Sequence, residues 1–135
     1  MKKFLFSVRP ATVTDYDELC SVWEVGDALH RQALPNIFQA TLGPSQERTK
    51  VESLIAGPES SILVAESSGG VIGLITILVH VVSGPPIKVP RRYAEIDNMV
   101  VKASAQRRGV GRALNYRSER LGAGTRNYRI GTQGL

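Results

Sequence analysis

Tyr93–Leu121, with the sequence YAEIDNMVVKASAQRRGVGRALNYRSERL, is the stretch that decides the architecture we expect for this chain. It begins as an extended run, passes through a short polar loop and becomes helical at Gly109 and Gly111. Because glycine has no side chain, the two glycines leave the helix N-terminus open, and the first backbone amides there have no intrahelical partner. Such amides and the positive end of the helix dipole together bind anions, most commonly a phosphate. The stretch therefore predicts an anion site at a strand-to-helix junction.

Other glycine motifs fit this stretch less well. Leu114 stands where a dinucleotide-binding fingerprint has its third glycine, and no acidic residue follows about twenty positions further on. The chain contains no Gly-Lys-Ser/Thr sequence of a nucleotide triphosphate loop. The glycine spacing is equally compatible with a tight turn that binds nothing. The basic residues beside the turn and the strand before it favour a phosphate site.

Gln106, Gly109 and Gly111 form the pattern Gln-x-x-Gly-x-Gly shortly after the predicted strand end at Val101. This pattern resembles the acyl-CoA pyrophosphate loop of the GCN5-related N-acetyltransferases (GNAT), which follows the fourth strand in that family. The resemblance implies an acetyltransferase fold and activity.

The resemblance extends over most of the chain. The segment Arg9–Thr12 is similar to the family's first strand and helix start, and Ile62–Glu66 followed by Gly73 is similar to its central hairpin. Members of the family normally continue well beyond the position of Leu135. The resemblance therefore implies a form that is truncated at its C-terminus.

The implied fold is mixed α/β (α+β), with a largely antiparallel sheet flanked by helices and lacking the final helix and closing strands. Length and resemblance together predict a single acyl-CoA-binding domain over residues 1–135. N-terminal strands and helices would occupy residues 1–92, the acetyl-CoA-binding core residues 93–121, and a short last strand or tail residues 122–135. The fourth and fifth strands would splay apart so that the cofactor enters between them.

Hydrophobic patterns and turn residues give the other elements. Thr12 and Asp15 form a capping box that opens the first helix, and Gly26 weakens that helix near its middle. The run from Val71 to Val82 is apolar on both faces, which predicts a central strand covered by helices on each side. The expected elements are strand 4–9, helix 12–30, helix 45–56 capped by Ser45, a hairpin of strands 61–66 and 71–82, a fourth strand from Tyr93 and a last strand 127–133.

The resemblance implies that acetyl-CoA is the acyl donor and that main-chain groups bind it. The Met99 N–H would polarise the thioester carbonyl, and the main chain from Met99 to Val101 would pair with the pantetheine arm. Main-chain amides after Gln106 would hold the pyrophosphate, with arginine side chains adding positive charge. The implied cofactor-binding residues are Met99, Val100, Val101, Gln106, Arg107, Arg108, Gly109, Val110, Gly111 and Arg112.

Glu95 is the implied general base, because it stands where the histone acetyltransferase branch of the family has its glutamate, and Asp97 is the substitute. Both carboxylates are otherwise explained as solvated strand residues or as ion pairs with Arg91 and Arg92. Many members use water chains in place of one fixed base, so Glu95 need not be essential. Strict strand alternation puts Tyr93, Glu95, Asp97, Met99 and Val101 on one face and Ala94, Ile96, Asn98 and Val100 on the other.

The positive charge lies in the half of the chain that contains the glycine loop. Residues 91–135 hold ten Lys or Arg and three Asp or Glu, a net +7, whereas residues 1–90 hold seven and nine, a net −2. A polyanionic ligand follows, and coenzyme A carries a 3′-phosphate besides its pyrophosphate. Nucleic acid is the weaker explanation, because the aromatic residues that would stack on bases are sparse, chiefly Tyr116 and Tyr128. Individually, Arg117, Arg120, Arg126 and Arg129 are explained as a solvated basic face.

The function implied is transfer of an acetyl group from acetyl-CoA to a primary amine of a small molecule or protein. The alternative is a truncated or degenerate domain that binds acyl-CoA or partners without catalysis. An exposed last strand would also offer a pairing edge for a homodimer.

Composition argues against several other classes of protein. No apolar run reaches the roughly twenty residues of a membrane span, and the N-terminus lacks a signal peptide, so a cytoplasmic location is expected. The single cysteine, Cys20, lies at helical spacing from apolar residues and is expected in the core. His30 and His80 have no clustered ligands that would suggest a metal site. His80, near the end of the third strand, is a candidate proton shuttle, although a histidine there is more commonly structural.

Overall fold

The computed structural model describes residues 4–121 and contains four strands and three α-helices within them. This mixed α/β architecture, with an antiparallel sheet between helices, confirms the predicted fold class. The predicted last strand, 127–133, lies outside the described residues. The elements are β1 (Ser7–Pro10), α1 (Tyr16–Ala33), α2 (Arg48–Ala56), β2 (Ser60–Ser67), β3 (Gly70–Val82), β4 (Arg91–Val101) and α3 (Val110–Leu121), with 3-10 turns at Val13–Asp15 and Ala103–Ala105.

The strands lie in the order β1-β2-β3-β4, and every pair of neighbours is antiparallel. β2 and β3 form the predicted hairpin through a two-residue turn at Ser68 and Gly69. Gly70 follows this turn with φ of 108°, a backbone conformation that glycine adopts without steric cost. The longest strand, β3, is therefore held on both sides by neighbouring strands.

A hydrophobic core lies on each face of the sheet. On one face, α1 and α2 pack against β2, β3 and β4 through residues that include Trp23, Val51 and Leu74. On the other face, α3 packs through Val110 and Leu114 against residues that include Ile75. We call these the α1 face and the α3 face. β3 contributes buried residues to both, which confirms that it is the covered central strand.

A β-bulge at Asp97 interrupts the alternation of β4. Ile96 pairs with Ile77 and Asn98 pairs with Thr76, so Asp97 is an extra residue without its own partner on β3. Ahead of the bulge, Ala94 and Ile96 belong to the core of the α3 face, whereas Val100, beyond it, belongs to the core of the α1 face. The predicted alternation was therefore wrong: Met99 and Val101 lie on the α3 face, and Tyr93, Glu95 and Asn98 lie on the α1 face.

α1 is continuous through Gly26, where a Cβ would lie 3.3 Å from Val100 Cγ2, so the missing side chain lets the helix lie close to β4. One detail of the helices differs from the prediction. Ser45 does not cap α2, which begins after Glu47. The Ser45 hydroxyl instead donates a hydrogen bond to Asp27, which lies within α1.

A partly buried ion-pair network joins β1 to the start of α1. Two guanidinium nitrogens of Arg9 donate to the Asp15 carboxylate at 2.8 and 2.9 Å, and Arg9 also contacts Glu66 on β2. Asp15 also accepts from the Thr12 amide at 2.8 Å, as the predicted capping box requires. The hydrogen bonds from Arg9 lower the pKa of Asp15 from 3.8 to about 2 and also lower the pKa of Glu66.

None of the helices in residues 4–121 has the length and hydropathy that crossing a membrane requires.

Candidate functional site

The segment between β4 and α3 forms a compact loop with an unusual backbone. After the 3-10 turn Ala103–Ala105, the Gln106 side chain donates a hydrogen bond to the Val101 carbonyl at 3.1 Å and so ties the loop to the end of β4. Arg107 has φ of 63° and Gly109 has φ of 85°. Glycine adopts such a conformation readily, but for arginine it is strained. The chain is thus turned sharply between the strand and the helix.

The N-terminus of α3 presents backbone amides to solvent-accessible space. The Ala113 amide donates to the Gly109 carbonyl at 3.0 Å, which is the first hydrogen bond of the helix. The amides of Val110, Gly111 and Arg112 precede this bond and so have no intrahelical acceptor. They face an open cleft of about 500 Å³ that is lined by Val101, Ala105, Gln106, Arg107, Gly109, Val110, Gly111 and Arg112.

This cleft brings together seven of the ten predicted cofactor-binding residues, with Ala105 as an addition that the sequence did not indicate. Met99 lies beside it, because a Cβ on Gly111 would be 3.7 Å from Met99 Cε. Two predicted residues point elsewhere. The Arg108 guanidinium lies 4.9 Å from the centre of the Phe4 ring. The Val100 side chain is buried in the core of the α1 face, so a ligand could contact only the main chain of this residue.

Gly73 on β3 allows α3 to sit close to the sheet. A Cβ at this position would lie 3.2 Å from both the Val100 carbonyl oxygen and Val110 Cγ1, and 3.4 Å from Leu114 Cδ1. These distances are shorter than ordinary van der Waals contacts, so a larger residue would push the first turn of α3 outward. The glycine thereby fixes where the helix amides lie relative to β4.

Glu95 hydrogen bonds with a histidine on the neighbouring strand. His80 Nε2 lies 3.1 Å from Glu95 Oε1, and the His80 ring stacks on Tyr93 with a centroid distance of 5.0 Å. Arg92, one of the arginines considered as a partner for Glu95, contacts Glu59 at 3.3 Å. The sequence did not indicate the His80–Glu95 pair, because only the register of β3 against β4 brings the two residues together.

A chain of hydrogen bonds surrounds the bulge on the α1 face. Trp23 Nε1 donates to Asn98 Oδ1 at 3.2 Å, and Asn98 Nδ2 donates to Asp97 Oδ2 at 3.3 Å. Asp97, the second predicted carboxylate, is therefore held at the bulge itself. Thr76, the cross-strand partner of Asn98, is buried, and its hydroxyl has no hydrogen-bond partner among the described residues.

The arrangement offers two kinds of chemistry on the two faces of one strand. The α3 face provides amides, a cleft and arginines that suit a phosphate-bearing ligand. The α1 face carries the His80–Glu95 pair and the polar groups at the bulge, which can exchange protons or orient a polar substrate. Across residues 4–121, no group of three or more His, Cys, Asp or Glu side chains is placed to hold a metal ion.

Comparisons with known proteins give the family and the fold. The sequence profile of the acetyltransferase (GNAT) family matches residues 30–132. No significant match was found among curated proteins. Many solved structures share the fold at low sequence identity.

Three of these structures illustrate the similarity. A tetramutant of a protein from Bacillus halodurans has a TM-score of 0.83 and 19% identity, over 93% of this chain and 82% of that one. An acetyltransferase from Vibrio fischeri has a TM-score of 0.76 and 21% identity, over 96% and 98% of the two chains. An aminoglycoside acetyltransferase from an uncultured soil metagenomic sample, in complex with sisomicin, has a TM-score of 0.65 and 14% identity, over 95% and 78%.

The profile covers well over half of the chain, including the bulged strand, the glycine loop and the described part of α3. The resemblance that Gln106, Gly109 and Gly111 suggested is therefore confirmed. This chain belongs to the acetyltransferase (GNAT) family.

Proposed function

We propose that the protein transfers an acetyl group from acetyl-CoA to a primary amine of a small molecule or protein. The observation that carries this proposal is the cleft at the N-terminus of α3, which adjoins the end of β4. Its three leading helix amides, together with Arg107 and Arg112, suit the pyrophosphate of coenzyme A. The excess positive charge of residues 91–135 also favours this polyanionic ligand.

The thioester end of the donor would lie along β4. β4 is the outermost strand among the described residues, so main-chain groups at Met99, Val100 and Val101 can pair with an extended pantetheine arm. The Met99 amide is the proposed donor to the thioester carbonyl oxygen. The bulge supports this assignment, because it breaks the regular ladder just before Met99.

The amine would approach from the α1 face. In the reaction its nitrogen forms a bond to the acetyl carbon, the carbon–sulfur bond breaks, the amine loses a proton and the departing sulfur gains one. The candidates for removing the proton are the titratable groups of this face: Glu95 with its partner His80, and Asp97 at the bulge. The structural relatives include an acetyltransferase complexed with an aminoglycoside, so a small polyamine is one acceptor class to test.

Calorimetric titration with acetyl-CoA tests the proposal, with two substitutions of Gly111 as a matched pair. A side chain at Gly111 has room, because its Cβ would lie 3.7 Å from the nearest atom outside the loop. Gly111→Glu puts a carboxylate among the pyrophosphate-binding amides, whereas Gly111→Gln adds the same bulk without charge. Neither substitution should unfold the protein, since an acidic residue in the first turn of a helix is favourable.

We expect the wild type to bind acetyl-CoA, Gly111→Gln to bind more weakly and Gly111→Glu to lose binding. Binding by the wild type without transfer to any amine in an acceptor screen would favour the alternative, an acyl-CoA-binding domain without catalysis. A folded wild type that does not bind acetyl-CoA would refute the proposal. Equal affinities for all three proteins would place the pyrophosphate elsewhere.

A further inference from the structure

His80 and Glu95 form a pair that solvent and a substrate can reach. The Nε2 to Oε1 distance is 3.1 Å, and the side chains are 38% and 25% exposed. The two residues lie on adjacent strands, with His80 opposite Tyr93 and Glu95 opposite Leu78. Both side chains belong to the α1 face, on the opposite side of the sheet from the glycine-loop cleft.

Two contacts fix the orientation of the imidazole. The Tyr93 ring stacks on it with a centroid distance of 5.0 Å and an interplanar angle of 28°, and Glu95 engages Nε2. Because an ionised carboxylate only accepts hydrogen bonds, Nε2 must carry the hydrogen in this bond. In a neutral imidazole the lone pair is then on Nδ1. Nδ1 has no hydrogen-bond partner among residues 4–121.

The pair lies on the same two strands as the proposed site of acyl transfer. Glu95 precedes Met99, whose amide is the proposed donor to the thioester oxygen, by four positions, one of which is the bulge residue, so the separation is roughly 10 Å along the strand. Asn98, on the other side of the bulge, points to the same face, where Trp23 holds it. An amine bound along this face between His80 and Asn98 would lie on the side of β4 that also carries the bulge.

An alkylamine needs a base before it can attack a thioester. Its pKa is about 10.4, as for a lysine side chain, so it is a cation near neutral pH and has no lone pair for attack. Imidazole is the side chain best matched to proton transfer near neutral pH. A carboxylate that accepts the Nε2 hydrogen holds the imidazole in one tautomer and stabilises its protonated form.

We infer that His80 is the general base of the proposed reaction, that its Nδ1 takes the proton from the acceptor ammonium, and that Glu95 is the positioning residue that holds Nε2–H. The ammonium becomes a neutral amine, the imidazole becomes an imidazolium, and the imidazolium later returns its proton to solvent. This inference rests on the proposed function and refines it, because the family resemblance implied Glu95 itself as the base.

Substituting His80→Gln separates the two roles. A glutamine amide can still donate to Glu95 from about the position of Nε2, but it cannot accept a proton. If Glu95 were the base and His80 only positioned it, His80→Gln would retain most of the activity. If His80 is the base, we expect kcat to fall by about 10²- to 10⁴-fold, the contribution typical of general base catalysis, with the Kd for acetyl-CoA unchanged.

Two small acceptors make the test specific for proton removal. Ethylamine is protonated near neutral pH, whereas hydroxylamine is largely neutral there and needs no base before attack. We expect His80→Gln to lose transfer to ethylamine and to keep most of the transfer to hydroxylamine. His30→Gln, the substitution of the only other histidine in the chain, is the control and should leave both rates unchanged.

Ring-nitrogen NMR provides a readout that does not depend on activity. The chain has two histidines, so comparison with His80→Gln assigns the signals of His80 directly. We expect neutral His80 to carry its hydrogen on Nε2 and to lose this strong tautomer preference in Glu95→Leu. A neutral His80 with its hydrogen on Nδ1 would overturn the inference.

The possible failures are distinguishable. If the wild type acetylates both amines and His80→Gln does so at the same rates, His80 is not the base, while the proposed function stands. If His80→Gln loses both rates equally, its role is structural and the inference is wrong. If the wild type acetylates neither amine nor any acceptor in the screen, the proposed function is refuted and the inference with it.

Discussion

Trp23 donates a hydrogen bond from its indole nitrogen to Oδ1 of Asn98, 3.2 Å away, so α1 is joined to β4 at the residue that follows the bulge. Trp23 is 4% exposed, so water does not readily replace this bond. Because Asn98 in turn donates to Asp97, one buried tryptophan anchors the polar groups around the bulge. The polar groups at the bulge are thus contacted from outside the sheet as well as from within it.

We expect Trp23→Phe to lower the free energy of unfolding by about 1 to 3 kcal/mol. The phenyl ring retains part of the buried apolar area, while the lost N–H leaves the Asn98 oxygen without its donor. Urea unfolding measures this loss. The rate of amine acetylation should fall by a larger factor than the affinity for acetyl-CoA, because Asn98 lies on the face of β4 from which we propose that the amine approaches.

Asn98→Ala supplies the control through a double-mutant cycle with Trp23→Phe. If the two residues act through their mutual hydrogen bond, the double variant should be less destabilised than the sum of the single variants. If the loss of unfolding free energy in the double variant equals the sum of the losses in the two single variants, the role that we assign to this hydrogen bond is wrong.

Gly73→Ala is expected to displace the first turn of α3. The added Cβ would lie 3.2 Å from the Val100 carbonyl oxygen and Val110 Cγ1, and backbone in a sheet cannot move aside as a flexible side chain can. We expect a loss of about 1 to 3 kcal/mol in the free energy of unfolding, together with weaker binding of acetyl-CoA. Thermal unfolding and calorimetry measure the two effects.

Gly69→Ala is the matched control, because the only atom near its added Cβ is Ser67 Oγ at 3.9 Å. We expect its stability to stay within about 0.5 kcal/mol of the wild type and its affinity for acetyl-CoA to be unchanged. Equal behaviour of the two alanine variants would show that Gly73 does not set the position of α3.

Local sequence patterns predicted the parts of the site that depend on local backbone geometry. The loop from Gln106 to Gly111 was found because two glycines follow a strand end at short spacing, and the hairpin turn at Ser68 and Gly69 was found for a similar reason. In both cases the relevant constraints act between residues close together in the chain. The loop that lines the cleft and the β2–β3 hairpin could therefore be anticipated.

The parts that sequence reasoning missed depend on contacts between distant residues. The bulge at Asp97 is specified by packing of Ala94, Ile96 and Val100 into two different cores, and strict alternation cannot reveal it. The His80–Glu95 pair depends on the register of two strands joined by the connection 83–90, whose length does not fix a register as a two-residue turn does. Ser45 was misassigned as a cap because α2 begins after Glu47, two residues later, and the Ser45 hydroxyl bonds to Asp27, which is remote in sequence.

Asp15→Asn should reveal a pH-dependent contribution to stability. The folded-state pKa of Asp15 is about 2, below the ordinary value of 3.8, because Arg9 hydrogen bonds to its ionised form. A carboxyl whose pKa is lowered by folding adds stability that is fully present above its ordinary pKa and is lost as the pH falls through the folded-state pKa. Above pH ~4, we expect the free energy of unfolding of the wild type to exceed that of Asp15→Asn by about 1 to 2 kcal/mol. This difference should disappear as the pH falls toward ~2.

Urea unfolding at a series of pH values measures this difference. Asp17→Asn is the control, because the Asp17 side chain is 94% exposed and its nearest cation, on Arg48, is 4.0 Å away. Its free energy of unfolding should stay within about 0.5 kcal/mol of the wild type at every pH, the size expected for an exposed carboxylate in the first turn of a helix. A difference between wild type and Asp15→Asn that does not change with pH would contradict the assigned origin of the pKa shift.

Arg107→Gly is expected to change stability and affinity in opposite directions. Arg107 has φ of 63°, which costs an arginine about 1 kcal/mol or more and costs glycine almost nothing. The greater freedom of glycine in the unfolded chain offsets part of this gain, so we expect the free energy of unfolding to stay equal or rise by up to about 1 kcal/mol. The affinity for acetyl-CoA should fall by about tenfold, because a cation is removed from the cleft that we propose binds the pyrophosphate.

Arg107→Lys separates the two effects, since lysine keeps both the charge and the strained backbone conformation. Arg107→Lys should match the wild type in stability and lose less affinity for acetyl-CoA than Arg107→Gly. The difference in this affinity between the two variants should become smaller as salt is added. Chemical denaturation and calorimetry at low and high salt measure both quantities. If Arg107→Gly were clearly less stable than the wild type, or bound acetyl-CoA equally well, the positive φ of Arg107 could not be explained as strain retained for binding an anion.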